Sequence, residues 1–226
     1  MFDFWWLWGL APALLFLVVV QCYAQVDWQN PWLNWIDGFN RLYCRTFHRL
    51  RGKAIELPDE GAAILVANHI SGLDPLLLLA ASPRRLRFLV AREEYQRFGL
   101  TWLFRMAGCI PVDRDNRPEQ AFKVALQVLA AGEVIALFPQ GRIQHPRETM
   151  IRLKSGAVRL AYLSGAPIIP VHIQGVRGAG SVFIPLLVPS QDSIHSYPSM
   201  LASKAHSKLV LQRMADCISG ATPNHE

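Results

Sequence analysis

The chain has 226 residues, 51% hydrophobic and only 18% charged, with a formal net charge of +6 and a sequence pI near 9.4. That length suits one domain with an appendage, and the charge content is low for a soluble domain. A basic balance alone does not choose between membrane lipid and nucleic acid. The sequence carries no RNA-binding aromatic signature, zinc-finger spacing or basic zipper, so nucleic acid is the weaker reading.

From Phe4 to Val26 there is no charged residue. As a helix this run spans ~35 Å, enough to cross a bilayer core. Trp5, Trp6 and Trp8 stand at one end, Tyr23 and Trp28 at the other, as in interfacial aromatic belts. Arg41, Arg45, Arg49, Arg51 and Lys53 follow it, and only Asp3 precedes it. The positive-inside rule then puts the rest of the chain in the cytoplasm, at the inner membrane in a bacterium. A cleaved signal peptide fits less well, because the basic n-region is missing. Gly9 and Pro12 leave a second option, a bent segment that dips into the bilayer without crossing it.

Residues 32 to 50 read as an amphipathic helix. Trp32, Trp35, Ile36, Phe39, Leu42, Tyr43, Phe47 and Leu50 recur at helical spacing, with Arg41, Arg45 and Arg49 on another face. That pattern suits a membrane interface; a helix packed on the core with a solvated basic face is the alternative. The expected division is an anchor and interfacial helix over residues 1–53, and a second domain over 54–226.

Beyond residue 54 the periodicity predicts strands near Ala63 to Ala67, Arg87 to Ala91, Cys109 to Val112, Val134 to Phe138 and Ile168 to Ile173. Helices are predicted near Pro75 to Ala81, Tyr95 to Met106, Pro118 to Ala131 and Ser155 to Leu163. Alternating strands and helices predict an α/β fold, a mostly parallel sheet flanked by helices, with a membrane-embedded or interfacial two-helix element at the amino end. Residues 181 to 190 suit a strand or a membrane-facing edge, and 202 to 218 a short helix. Gly165 is a plausible helix C-cap. Cys22, Cys44, Cys109 and Cys217 show no metal or redox spacing and read as reduced thiols.

The apolar run Ala62 to Ala67 breaks into NHISGLD, residues 68 to 74. A strand, a tight loop and a helix start follow from that pattern, and α/β proteins place reactive side chains at such junctions. His69 steadied by Asp74 has the makings of a general base. The competing reading is structural, with Asp74 as an N-cap before Pro75 and Asn68 and Ser71 as turn residues. A hydrolase with Ser71 as nucleophile is disfavoured, since no GxSxG elbow surrounds it.

Three further segments follow in order: GCIPVDR (Gly108 to Arg114), FPQGR (Phe138 to Arg142) and APIIPVHI (Ala166 to Ile173). With NHISGLD they resemble the four motifs of the glycerolipid acyltransferases, the 1-acyl-glycerol-3-phosphate (lysophosphatidate) type, over about residues 55 to 175. The resemblance implies acyl transfer from acyl-CoA or acyl-carrier protein to a lysophospholipid, with no cofactor and no metal. It implies His69 as base, Asp74 as its orienting carboxylate, and Arg114 as the grip on the acceptor's phosphate, a task suited to a bidentate guanidinium. Gln140, Gly141, Arg142 and Lys154 become substrate-binding candidates, with backbone N–H groups near a helix start as oxyanion donors.

The third motif departs from its pattern. Gln140 stands where the family has Glu, and Arg142-Ile143 where it has Thr-Arg. Gln both accepts and donates, so another head group, such as a lyso-ornithine lipid, becomes a candidate acceptor. A non-catalytic, membrane-docked lipid-binding protein is the remaining alternative. Pro170 inside an apolar strand predicts an edge or a bulge.

Overall fold

The computed structural model describes residues 5–113, 118–145, 147–148 and 153–221. In chain order the elements are α1 (Trp5–Tyr23), α2 (Pro31–Thr46), β1 (Ala63–Ala67), α3 (Asp74–Ala81), β2 (Leu86–Ala91), α4 (Arg92–Tyr95), α5 (Thr101–Met106) and β3 (Ile110–Val112). They continue with α6 (Pro118–Ala130), β4 (Val134–Leu137), α7 (Gly156–Ser164), β5 (Ile168–Gln174), α8 (Ile184–Leu187), β6 (Ser193–Ser196) and α9 (Ser207–Ile218). Among the described residues the strands form one sheet in the order β3-β2-β4-β1-β5-β6. All pairings are parallel except β5 with β6. The α/β expectation holds, with an antiparallel edge strand that the sequence pattern did not announce.

β1 explains the layering. All five of its residues are buried, as a central parallel strand covered on both faces requires. Its side chains alternate between two cores. Ala63, Leu65 and Ala67 join Leu77, Leu78 and Ala80 of α3 on one face. Ile64 and Val66 join Ala125 of α6, Leu160 of α7 and Met214 of α9 on the other.

Two local expectations change, and the bulge expected at Pro170 is present. The single helix over Tyr95 to Met106 is divided into α4 and α5, because Gly99 adopts φ 80° between them and a left-handed residue ends a helix. Residues 181 to 190 hold the short helix α8 instead of a strand. Pro170 sits inside the sheet, opposite a bulge: the β5–β6 register pairs Val171 with Ser196, yet Ile168 pairs with Met200. The one-residue slip accommodates a residue with no N–H to donate, while the Pro170 carbonyl still accepts from Tyr197 N at 2.9 Å. Gly165 caps α7 as anticipated, at φ 71°.

The amino-terminal helices form a layer on this body. In α2, the Asn30 side chain caps the first turn by accepting from Trp32 N and Leu33 N. α1 crosses α2 at Gly38, where an added Cβ would fall 2.2 Å from the Val20 carbonyl oxygen. The basic face expected of Arg41, Arg45 and Arg49 is corrected. Arg41 is 2% exposed. Its Nε donates to Asp37 Oδ2 at 2.7 Å, and its terminal nitrogens donate to the Ala80 and Ser82 carbonyls at 3.0 and 2.7 Å. The C-terminal end of α3 presents unpaired carbonyls, and a buried guanidinium with an i,i+4 carboxylate satisfies them. Arg49 lies past the end of α2, at φ 46°. As described, α1 has 19 residues, ~28 Å at the helical rise. Among the described residues no helix is long and apolar enough to cross a membrane.

Arg41→Ala should lower the unfolding free energy by roughly 3–5 kcal/mol, because it leaves Asp37 as an uncompensated buried charge. Adding Asp37→Leu should restore most of the loss. Denaturant melts of the three proteins measure both effects, and full stability in Arg41→Ala alone would refute the assignment.

Candidate active site

His69 lies two residues beyond the carboxyl end of β1, and Phe138 directly follows β4, its neighbour in the sheet. This is the sheet edge where open parallel sheets bind ligands. Asn68 ties the loop to β5: its Nδ2 donates to the Ile173 carbonyl at 2.8 Å and its Oδ1 accepts from Ile173 N at 2.7 Å.

Asp74 is fully buried. Its Oδ2 accepts from His69 Nδ1 at 2.9 Å, Ile70 N at 2.7 Å and Ser71 N at 2.8 Å. Its Oδ1 accepts from the Ser71 hydroxyl at 2.5 Å. The N-cap reading of Asp74 is therefore corrected. The carboxylate turns back into the loop, and the N-cap position belongs to Leu73. A carboxylate accepts only, so the shared proton belongs to Nδ1 and the lone pair to Nε2. The His69 ring stacks on Phe138, centroids 4.1 Å apart and planes 14° apart, and Phe138 in turn stacks on Phe88. Ring orientation is thus held from one edge and one face.

The backbone of His69 is held as well. Its N–H donates to Gln140 Oε1 at 3.1 Å, and its carbonyl accepts from Gln144 N at 2.7 Å. Gln140 Nε2 donates to Gln144 Oε1 at 3.3 Å. Gly141, at φ 75°, lies under Lys154: a Cβ there would come within 3.0 Å of Lys154 Nζ. Lys154 N donates to the Pro139 carbonyl at 2.9 Å. His69, Asp74, Gln140, Gly141 and Lys154 therefore form one cluster. Arg142 is exposed and pairs bidentately with Glu148, both contacts at 2.9 Å, which holds its guanidinium above the usual range. Arg114 lies outside the described residues.

This geometry closes one disfavoured reading and removes the nearest of the expected oxyanion donors. Ser71 is buried, its hydroxyl donated to Asp74 and accepting from Leu73 N at 3.1 Å, so it serves as a pin and not as a nucleophile. The N–H groups of the loop are also committed. Ile70 and Ser71 serve Asp74, Leu73 serves Ser71, and Gly72 donates to the Ser181 carbonyl at 3.1 Å. None of the four is free to hold an oxyanion. Phe138 and Gln144 were not singled out from the sequence, since a stacking ring and a peptide clamp have no spacing signature.

A second polar cluster lies near Asp74. Buried His48 and Ser190 are 2.7 Å apart (Nδ1 to Oγ), and Ser190 donates to Asp192 Oδ2 at 3.0 Å. Burial pushes the Asp192 carboxyl up to about 6, against the Ser190 hydrogen bond and with help from the Asp74 charge. Burial pulls His48 down. Among the described residues no group of three or more His, Cys, Asp or Glu side chains is placed to hold a metal.

The Acyltransferase family model matches residues 50–174, a stretch that includes the whole cluster. The chain belongs to this acyltransferase family, and its resemblance to the glycerolipid branch is supported by relatives. A probable 1-acyl-sn-glycerol-3-phosphate acyltransferase of Mycoplasma pneumoniae is 35% identical over 127 residues, 52% of this chain and 46% of the relative. The 1-acyl-sn-glycerol-3-phosphate acyltransferase of Bacillus subtilis is 25% identical over 128 residues, 56% of this chain and 63% of the relative. The chain thus spans roughly half the length of these curated relatives. The crystal structure of the 1-acyl-sn-glycerophosphate acyltransferase from Thermotoga maritima shares the fold, with TM-score 0.63, 20% identity, and coverage of 82% of this chain and 78% of that one.

In this acyltransferase-family chain the Asp74 carboxylate sets the His69 tautomer, and Asn at 74 offers one acceptor and a competing donor. Asp74→Asn should move the His69 ring proton between nitrogens, visible in ¹⁵N NMR of the imidazole. An unchanged Nδ1–H signal in that variant would contradict the hydrogen-bond assignment.

Proposed function

We propose that this protein is a membrane-associated O-acyltransferase that moves a fatty acyl group from acyl-CoA or acyl-carrier protein to the hydroxyl of a lysophospholipid. The preferred acceptor is 1-acyl-glycerol-3-phosphate, with phosphatidate as product. The observation that carries the reading is His69 with Nδ1 donated to buried Asp74 at 2.9 Å, on a sheet edge with no competing protein nucleophile beside it among the described residues.

His69 Nε2 takes the proton of the acceptor hydroxyl as its oxygen attacks the thioester carbonyl carbon. The carbonyl π electrons move to oxygen, forming a tetrahedral oxyanion. Collapse re-forms the carbonyl, breaks the C–S bond, and the imidazolium returns its proton to the departing thiolate. Asp74 stabilises the imidazolium while it exists. Lys154, folded over Gly141, supplies positive charge for the phosphate or the oxyanion, since the N–H groups from Ile70 to Leu73 are already committed. Arg114 grips the acceptor phosphate bidentately. No cofactor or metal takes part in this scheme.

α1 and α2 dip into one leaflet in this reading, with the catalytic body on the cytoplasmic side, at the inner membrane in a bacterium. Exposed Leu14, Leu15 and Phe16 of α1 and Trp32, Ile36 and Phe39 of α2 support it, as an apolar layer beside basic residues suits a membrane interface.

One observation favours a second acceptor. Both ends of the Gln140 amide are used inside the protein, toward His69 N and Gln144, which leaves less of it for acceptor hydroxyls. Another lysolipid, such as a lyso-ornithine lipid, is the alternative substrate.

In assays on purified membranes with both donors and a panel of lysolipids, His69→Ala should lower transfer by ~10²–10⁴-fold, the worth of general-base catalysis. Transfer equal to wild type would refute the mechanism, and its absence in wild type would favour a lipid-binding role. Arg114→Ala should raise KM for phosphate-bearing acceptors about tenfold or more and leave uncharged lysolipids unaffected, since it removes a charge-assisted contact of the kind strongest to phosphate. An equal loss on every acceptor would count against that assignment.

A further inference from the structure

The segment from Gly180 to Leu187 is not used by the chemistry, yet it is laced to the catalytic loop. Gly180 N donates to the Ile70 carbonyl at 2.7 Å and Gly72 N to the Ser181 carbonyl at 3.1 Å. The approach is so close that a Cβ at Gly72 would fall 2.2 Å from the Val182 carbonyl oxygen. Immediately after this seam come Phe183, Ile184 and Leu187, exposed by 62%, 55% and 78%. Three large apolar side chains on a four-residue helix and the residue that caps it are costly to leave in water.

This patch continues the apolar layer of the amino-terminal helices. Tyr43 donates its hydroxyl to the Leu186 carbonyl, which fixes α8 against α2. From Tyr43 the aromatic rings run to Phe39, centroids 6.4 Å apart, and from Phe39 to Phe16 of α1, 6.5 Å apart. On the other flank the Arg97 guanidinium lies 5.5 Å from the Phe183 ring centroid while also pairing with Glu94 at 3.1 Å. Arg177 is exposed just before the seam.

We propose that α8 is a second bilayer-contacting element, inserting Phe183, Ile184 and Leu187 below the headgroups of an anionic leaflet and so seating the His69 loop at the lipid surface. The inference rests on the membrane-associated reading above and adds to it a site outside α1 and α2. Apolar side chains with Arg at the rim match an interface with acyl chains below and anionic headgroups above. Because the loop is hydrogen-bonded to Gly180 and Ser181, just ahead of α8, insertion of α8 fixes the depth of the loop. A lysolipid then presents its hydroxyl to His69 without leaving its leaflet.

The test uses the full chain with Cys22→Ser and Cys109→Ala, carrying Leu187→Cys labelled with an environment-sensitive fluorophore. Glu60→Cys, in the exposed turn before β1 at the opposite sheet edge, is the control. On vesicles of phosphatidylcholine with a minority of phosphatidylglycerol, the Leu187 probe should shift to the blue and be quenched by acyl-brominated lipid several-fold more strongly than the Glu60 probe. Equal quenching at both positions overturns the proposal. A blue shift that appears without vesicles and grows with protein concentration also overturns it, by making the patch a contact between copies of the chain. A second arm uses Phe183→Ser/Leu187→Ser. KM for a vesicle-embedded acceptor should rise about tenfold, on the scale of losing buried apolar side chains. Turnover of a short-chain, water-soluble acceptor should stay at the wild-type value; an equal loss on both acceptors counts against the proposal. A wild-type chain without any transfer defeats the enzymatic reading alone, because the quenching result does not depend on turnover.

Discussion

Four donors converge on the Asp74 carboxyl group: the His69 ring, two successive backbone N–H groups and the Ser71 hydroxyl. Without them a carboxylate with no exposed surface would be severely penalised. Hydrogen bonds to a charged group each contribute about 1.5–3 kcal/mol, so the loop folds around the acid instead of leaving it in solvent. The same bonds give His69 one tautomer and one orientation. Structural need and chemical readiness are therefore met by the same atoms. That resolves the two readings of NHISGLD: the residues are turn formers, and the turn is what aims the imidazole.

The sheet topology supplies the second constraint. β1 and β4 are neighbours, so the loop after one meets the loop after the other. Phe138 then lies under the His69 ring and Gln140 meets its N–H. In this light the Gln at 140 is more than a departure from a motif. It accepts from a backbone donor as a carboxylate would, and its amide also donates to Gln144. The resulting brace holds His69 on both sides of its peptide, at the cost of freedom to meet an acceptor.

The amino-terminal layer is joined to the body by buried polar contacts as well as by apolar packing. Arg41 reaches across to two carbonyls at the end of α3, and Asn40 donates to the Leu76 carbonyl at 3.0 Å. α3 begins at Asp74 and ends at those carbonyls. The helix that carries Asp74 at one end is thus clamped to α2 at the other. An apolar surface on α1, α2 and α8 consequently keeps a fixed relation to the His69 loop, as the proposed chemistry at a lipid surface requires.

Much of this was legible in the residues. Continuous apolar runs such as AILVA identified the buried parallel strands, Gly165 marked a helix end, and the order of four short motifs pointed to the family that residues 50–174 match. These signals are local, because propensity and spacing act within a few residues. What lay beyond local reach was partnership. Arg41 shares the spacing of Arg45, yet a carboxylate one turn back and two orphan carbonyls from another helix draw it inside. The tie of the Gly72 N–H to the Ser181 carbonyl depends on a residue more than 100 positions away, and the slip opposite Pro170 on a strand about 30 positions further along the chain. Sequence determined which chemistry the chain carries; tertiary structure alone decided which donors and charges remain free to perform it, because hydrogen bonds are spent between segments that only folding brings together.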